Sequence, residues 1–130
     1  MATVNLPPDF KEFLKLLSAH QVEYLLIGGY AVAYHGYPRA TADMDIWIAI
    51  HPHNAEKVVA ALKAFGFDLP ELSPALFLKA GQIIRMGVPP VRIEIATSIS
   101  GVHFEECYAA RVMDILDEVE VNFITLHHIT

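Results

Sequence analysis

RATADMDIWIAI, residues 39–50, is the stretch of this sequence that decides the fold. Read as a β-strand, residues 43–48 alternate, with Asp43 and Asp45 on one face and three apolar side chains on the other. The two carboxylates then stand about 7 Å apart, with no lysine or arginine between them. At an effective dielectric constant of about 20, their repulsion is about 2 kcal/mol. A sequence that keeps both acids at this spacing needs a counter-charge for them.

Length and composition bound the class of protein. The chain has 130 residues, of which 54% are apolar, so we expect one globular domain over residues 1–130. No apolar run is long enough for a membrane span, and the N-terminus has no secretion-signal pattern. One cysteine, Cys107, excludes an intrachain disulfide and favours a cytoplasmic location. The net charge of −6 argues against broad electrostatic binding of long nucleic acid.

Outside the acidic stretch, helical and strand patterns alternate. Asp9 is the expected cap of the first helix and Asn54 that of the third, which Gly66 ends. The predicted order is helix, strand, helix, strand, helix, strand, strand, helix and strand. The C-terminal pattern allows one or two strands, with a turn near Asp117. This order predicts an α/β or α+β domain with a mixed sheet of four or five strands flanked by helices. We expect parallel neighbours where a helix connects two strands.

Gly28 and Gly29 lie between a buried strand and the start of a helix. Glycine lets the backbone turn sharply there and approach a ligand, and the helix start offers free amides. A plain tight turn is the alternative interpretation of this pair. No GxGxxG or P-loop lysine accompanies it.

The acids also have two interpretations each. A divalent cation would remove the repulsion between Asp43 and Asp45, whereas an exposed strand face or an arginine partner for Asp45 would explain them structurally. In VRIEIATS, residues 91–98, Glu94 lies in mid-strand and shares a face with Arg92. An ion pair between Glu94 and Arg92 is therefore the alternative to metal binding.

Taken together, these residues match a known pattern. IGGYAVAYHGYPRATADMDIWI, residues 27–48, resembles the signature of the DNA polymerase β-like nucleotidyltransferase superfamily. In that superfamily a Gly-Gly or Gly-Ser turn precedes Asp-x-Asp on the next strand, and a third acid lies on a later strand. Gly28-Gly29, Asp43-Met44-Asp45 and Glu94 match in this order, with 13 residues between the glycines and the first aspartate.

The GGxA and HGxxRxT elements, within residues 28–41, resemble the minimal stand-alone members of the superfamily. These include aminoglycoside nucleotidyltransferases and the nucleotidyltransferase components of toxin–antitoxin and abortive-infection systems. The relatives usually continue with C-terminal helices, so the resemblance implies a single nucleotidyltransferase-like domain that lacks them. A cognate toxin or antitoxin protein is the protein partner that it implies.

The resemblance also implies a function. Asp43, Asp45 and Glu94 would hold Mg²⁺ or Mn²⁺, and Glu94 would also activate an acceptor hydroxyl. The residues implied in nucleotide binding are Gly28, Gly29, Tyr30, Arg39 and Thr41. The reaction would move a nucleoside monophosphate from a nucleoside triphosphate (NTP) to a small molecule, a protein or a tRNA end. A catalytically inactive nucleotide- or partner-binding module, such as an antitoxin component, remains the alternative.

A metal titration tests the role of the aspartates. Because a ligand that binds only the native state stabilises it, Mn²⁺ should raise the melting temperature of the protein. The double substitution Asp43→Asn and Asp45→Asn should abolish that rise, measured by thermal unfolding with and without Mn²⁺. A double variant that responds to Mn²⁺ as strongly as the wild type would place the metal elsewhere.

Overall fold

The computed structural model describes residues 6–36, 43–88 and 90–129. In these ranges we label five α-helices and six strands in chain order, and a short 3₁₀ helix covers Pro74–Phe77. The helices are α1 (Pro8–Ala19), α2 (Gly28–Tyr34), α3 (Pro52–Phe65), α4 (Phe104–Ala109) and α5 (Leu126–Ile129). The strands are β1 (Tyr24–Ile27), β2 (Asp43–Ile48), β3 (Ile83–Val88), β4 (Val91–Ala96), β5 (Val112–Leu116) and β6 (Val119–Phe123).

The strands form one mixed sheet in the order β3-β4-β2-β1-β6-β5. The predicted mixed sheet flanked by helices is confirmed, with six strands rather than four or five. The C-terminal pattern forms a hairpin, because Asp117 and Glu118 adopt positive φ angles of 49° and 70°. Two adjacent residues of positive φ match the turn that joins antiparallel strands most tightly. These two residues form the turn that was predicted near Asp117.

Strand directions differ from the prediction at one connection. β2 and β4 are parallel, as are β1 and β6, but β1 and β2 are antiparallel although α2 connects them. Helix α2 has seven residues and extends about 10 Å, about half the length of the six-residue strand β2, so it does not carry the chain back along a full strand. The expectation that a helix joins parallel neighbours is therefore wrong for this pair.

The main core lies on the face of the sheet that α1 and α3 cover. The apolar stripe of α1 is buried there through Phe10, Phe13, Leu14 and Leu17. A second, smaller cluster on the other face joins Trp47 and Leu25 to Cys107 of α4. The lone cysteine is thus a buried core residue.

Two of the predicted helix caps are wrong. Helix α1 begins at Pro8 after Pro7, so Asp9 lies in the first turn, where its charge favours the positive end of the helix dipole. At α3 the cap is His51, whose side chain accepts a hydrogen bond from the backbone N–H of Asn54. Gly66 ends α3 with φ 121°, as predicted.

Asn54 is fully buried and ties α3 to the sheet. Its Oδ1 accepts a hydrogen bond from the backbone N–H of Glu23 at 2.7 Å. Its Nδ2 donates to the carbonyl oxygens of Glu23 and Ala49 at 3.1 and 2.9 Å. One amide side chain therefore fixes the start of β1 and the end of β2 against the same helix.

Every helix in residues 6–36, 43–88 and 90–129 is too short or too polar to cross a lipid bilayer.

Substitution of Asn54 by alanine should be strongly destabilising. It leaves the Glu23 N–H and the Ala49 carbonyl without their side-chain partner in a buried place, so we expect a loss of about 3 kcal/mol in the free energy of unfolding. Urea denaturation measures this loss. His53→Ala, at an exposed position of the same helix turn, is the control and should change stability little. Equal effects of the two substitutions would contradict the anchoring role of Asn54.

Candidate active site

The strand register brings the three predicted acids to one face of the sheet. Asp45 of β2 lies directly opposite Glu94 of β4, and Asp43 lies opposite Arg92. Paired residues of neighbouring strands point to the same face, and adjacent strands are about 4.8 Å apart. Asp43, Asp45 and Glu94 therefore lie side by side on the face that does not carry the main core.

Two arginines share this face with the acids. Arg92 Nη2 donates to Asp43 Oδ2 at 2.8 Å, and Arg85 Nε of β3 donates to Glu94 Oε1 at 2.9 Å. The alternative interpretation, an ion pair between Glu94 and Arg92, is wrong in its partners. Arg85 lies directly opposite Glu94 on the neighbouring antiparallel strand, so it reaches that carboxylate, and Arg92 reaches across to Asp43.

The charge of the face acts on Arg92 in particular. Its hydrogen bond to Asp43 and the charge of that carboxylate raise the pKa of the guanidinium, which stays fully ionised. Glu94 and Asp45 raise the same pKa through their negative charges. Arg92 therefore lies in the electrostatic field of all three acids.

The glycine turn packs directly against Asp45. Gly28 has φ +70°, a backbone conformation that side chains disfavour. A Cβ atom on Gly28 would stand 2.1 Å from Asp45 Oδ2, which is far inside van der Waals contact. Only glycine leaves room for the carboxylate in this place, so the turn and the acid form one unit.

The next two residues occupy the first turn of α2. Gly29 and Tyr30 are both buried, and the Tyr30 ring packs edge-on against Phe10 at 5.7 Å between ring centroids. The Tyr30 side chain therefore belongs to the core. A nucleotide could meet only the backbone of these two residues.

The acids of this face have the donor atoms that a divalent cation needs. Carboxylate oxygens are the ligands that Mg²⁺ and Mn²⁺ prefer, and the register places three of them at adjacent positions. In the ranges that the structure describes, no three His, Cys, Asp or Glu side chains are arranged to hold a metal ion. The residue types and strand positions fit a cation, but Asp43 and Glu94 would have to turn away from their arginines to bind it.

The remaining predicted residues, Arg39 and Thr41, lie outside the described residues. Their predicted role in nucleotide binding stays a prediction.

Sequence reasoning missed Arg85 and a pocket beside Gly28. Arg85 interrupts the apolar segment QIIRMG, and a lone charge in mid-strand is a signal that could have identified it. The pocket has a volume of about 270 Å³. Its lining residues are Ile27, Gly28, Val32, Ile99, Val102, Ile124 and His128. They come from separate parts of the chain, so no local pattern indicates them.

Comparison with known proteins supports the fold. The chain matches no protein-family model and no curated protein. It is similar to the crystal structure of a "putative nucleotidyltransferase" from Thermotoga maritima, with a TM-score of 0.64 and 11% sequence identity. The similarity covers 92% of this chain and 77% of the other. At this identity it shows the fold: the chain has the mixed α and β architecture of that neighbour.

A double-mutant cycle tests the contact between Gly28 and Asp45. Gly28→Ala should cost about 3 kcal/mol in the free energy of unfolding, because the backbone conformation is strained and the new methyl group meets the carboxylate. In a protein that already carries Asp45→Ala, the cost of Gly28→Ala should fall by about 1 kcal/mol or more, because the carboxyl group is gone. With Asp45→Asn, which keeps the shape, it should persist. The same cost in all three backgrounds, measured by urea denaturation, would show that the contact does not govern the turn.

Proposed function

We propose that this protein is a metal-dependent nucleotidyltransferase that moves a nucleoside monophosphate from an NTP to an acceptor hydroxyl. The observation that carries the proposal is the placement of Asp43, Asp45 and Glu94. They lie in register on one sheet face, with Asp45 seated on the glycine turn. The nucleotidyltransferase-like fold of the neighbour supports the same class of reaction.

Asp43 and Asp45 are the proposed ligands of Mg²⁺ or Mn²⁺, with Glu94 as the third. Bound cations would neutralise negative charge on the triphosphate and stabilise the charge that develops during transfer. The role of the carboxylates would be to hold the cations in a defined position. Asp45 is held against Gly28 on one side and faces Glu94 on the other, so it has little freedom to move.

Glu94 is the proposed general base. It accepts the proton of the acceptor hydroxyl as that oxygen forms a bond to the α-phosphorus. The bond between the α-phosphorus and the oxygen that bridges to the β-phosphate breaks, and pyrophosphate leaves with that electron pair. The Glu94 side chain is one-fifth exposed, so an acceptor can reach it from solvent.

The proposed phosphate site is the turn at Gly28, Gly29 and Tyr30. Asp45 excludes a side chain at Gly28, Gly29 has none, and that of Tyr30 is buried. The contacts to phosphate would therefore come from backbone amides. Arg39 and Thr41 are proposed to add side-chain contacts. The apolar pocket beside Gly28 supports this placement, because it offers a wall for a flat ring next to the phosphates.

The proposed acceptors are a small molecule, a protein side chain or a tRNA end, with the cytoplasm as the proposed compartment. The net charge of −6 disfavours a long nucleic acid as acceptor. A cognate toxin or antitoxin protein is the proposed macromolecular partner.

One observation favours a second candidate, a nucleotide- or partner-binding module without turnover, such as an antitoxin component. Asp43 and Glu94 are each engaged by an arginine, which is how carboxylates are held in a purely structural network. In that case Glu94 would have no chemical role. The two candidates therefore predict different effects on transfer when the charge of Glu94 is removed.

Glu94→Gln separates the candidates. It keeps the size of the side chain but removes the proton acceptor, so we expect transfer to fall by about 10²-fold or more, while ATP affinity stays within a few-fold of the wild type. Transfer is measured as label moved from each NTP in the presence of Mg²⁺ and host lysate, and affinity by calorimetry.

Glu120→Gln, an exposed glutamate on β6, is the matched control and should leave transfer unchanged. A folded Glu94→Gln variant that binds ATP and transfers normally would exclude Glu94 as the base. A wild type that binds ATP and labels nothing would favour the binding module.

A further inference from the structure

The acidic face carries its own cations. Three carboxylates, those of Asp43, Asp45 and Glu94, share it with the guanidinium groups of Arg85 and Arg92. The face therefore carries one net negative charge before any ligand binds. Each arginine holds an acid that is also a proposed metal ligand, so cation and arginine compete for the same oxygen atoms.

The two arginine–carboxylate ion pairs are exposed enough to separate readily. The Arg85 side chain is 58% exposed and that of Arg92 is 35% exposed. Ion pairs open to solvent contribute little, because water solvates both charges when they separate. A divalent cation interacts more strongly with a carboxylate than a single guanidinium does, so it can displace the arginine.

The released guanidinium groups match a phosphate. Guanidinium donors fit the oxygen atoms of a phosphate as well as those of a carboxylate, and often in pairs. Arg92 has donor capacity in reserve: within the described residues its buried Nε has no hydrogen-bond partner. This donor becomes available to an anion once the side chain turns away from Asp43.

We propose that Arg92 and Arg85 are exchangeable counter-ions of this site, with a second role as phosphate-binding residues. In the metal-free protein they hold Asp43 and Glu94 in place and offset the repulsion among the acids. When cations occupy the carboxylates, the two arginines turn to the triphosphate. This inference rests on the proposed function and adds the residues that select a highly charged nucleotide.

The charge balance favours this exchange. Without metal cations, the net negative charge of the three carboxylates and two arginines disfavours the approach of a triphosphate, because like charges repel. Once cations cover the acids, both arginines become surplus positive charge on the same face. That face then attracts a triphosphate and discriminates against a nucleoside, which has no phosphate to bind.

Calorimetric titration of two variants tests the exchange. Arg92→Gln and Arg85→Gln remove a competitor of the cation, so each should bind Mn²⁺ about two- to fivefold more tightly than the wild type, the scale of a lost surface ion pair. The same variants lose a phosphate contact, so each should bind ATP at saturating Mn²⁺ about tenfold more weakly or worse. Affinity for adenosine should not change.

Arg111→Gln is the matched control, because Arg111 stacks on Tyr108 at 3.9 Å and donates to its carbonyl oxygen, away from the acids. It should alter neither affinity. Circular dichroism checks the fold, and the more exposed Arg85 provides a second variant if Arg92→Gln fails to fold.

The decisive result is that each arginine variant binds Mn²⁺ more tightly and ATP more weakly. Variants that bind both Mn²⁺ and ATP more weakly, or that bind both as the wild type does, would overturn the exchange. The proposed function would stay intact in that case, provided that the wild type binds metal and ATP. A wild type that binds neither Mn²⁺ nor ATP would overturn both proposals together.

Discussion

The contact between Asp45 and Gly28 is the constraint on which the rest of the site depends. A side chain at residue 28 would occupy the space of the carboxylate, so the tight turn into α2 and the second acid of β2 exist only together. Asp45 also faces Glu94 across the strand pair. Through this one residue the glycine turn, the acidic strand and the third acid are held in a fixed relation, which is what a reaction that aligns phosphate, cation and acceptor requires.

Electrostatics explain why the face is stable without a ligand. Three carboxylates on adjacent strand positions repel one another, and two arginines on the same face offset most of that charge. In the absence of ligands, the same arrangement is expected of a structural ion-pair network and of an active site. The difference between the two appears only when a cation and a phosphate compete for the charged groups.

Much of the fold follows from local pattern. The alternation of residues 43–48 and the stripe of α1 indicate which side chains are buried, because strand and helix periods sort residues by face. Both predicted caps are wrong, because α1 begins before Asp9 and the Asn54 side chain has partners outside its helix. Asn54 has the residue type of a cap, yet its amide donates to the carbonyl oxygens of Ala49 and of Glu23, which lies 31 residues earlier in the chain.

The sequence by itself determined the acids, the glycine turn and the order of helices and strands, since each depends on residues that are neighbours in the chain. Only the tertiary structure decided that β1 and β2 run antiparallel and which arginine meets which carboxylate. Arg92 reaches Asp43 across 49 residues, and Arg85 rather than Arg92 meets Glu94. These choices are made by strand register, and register is set by burying one whole face of the sheet at once, so no local stretch of sequence contains it.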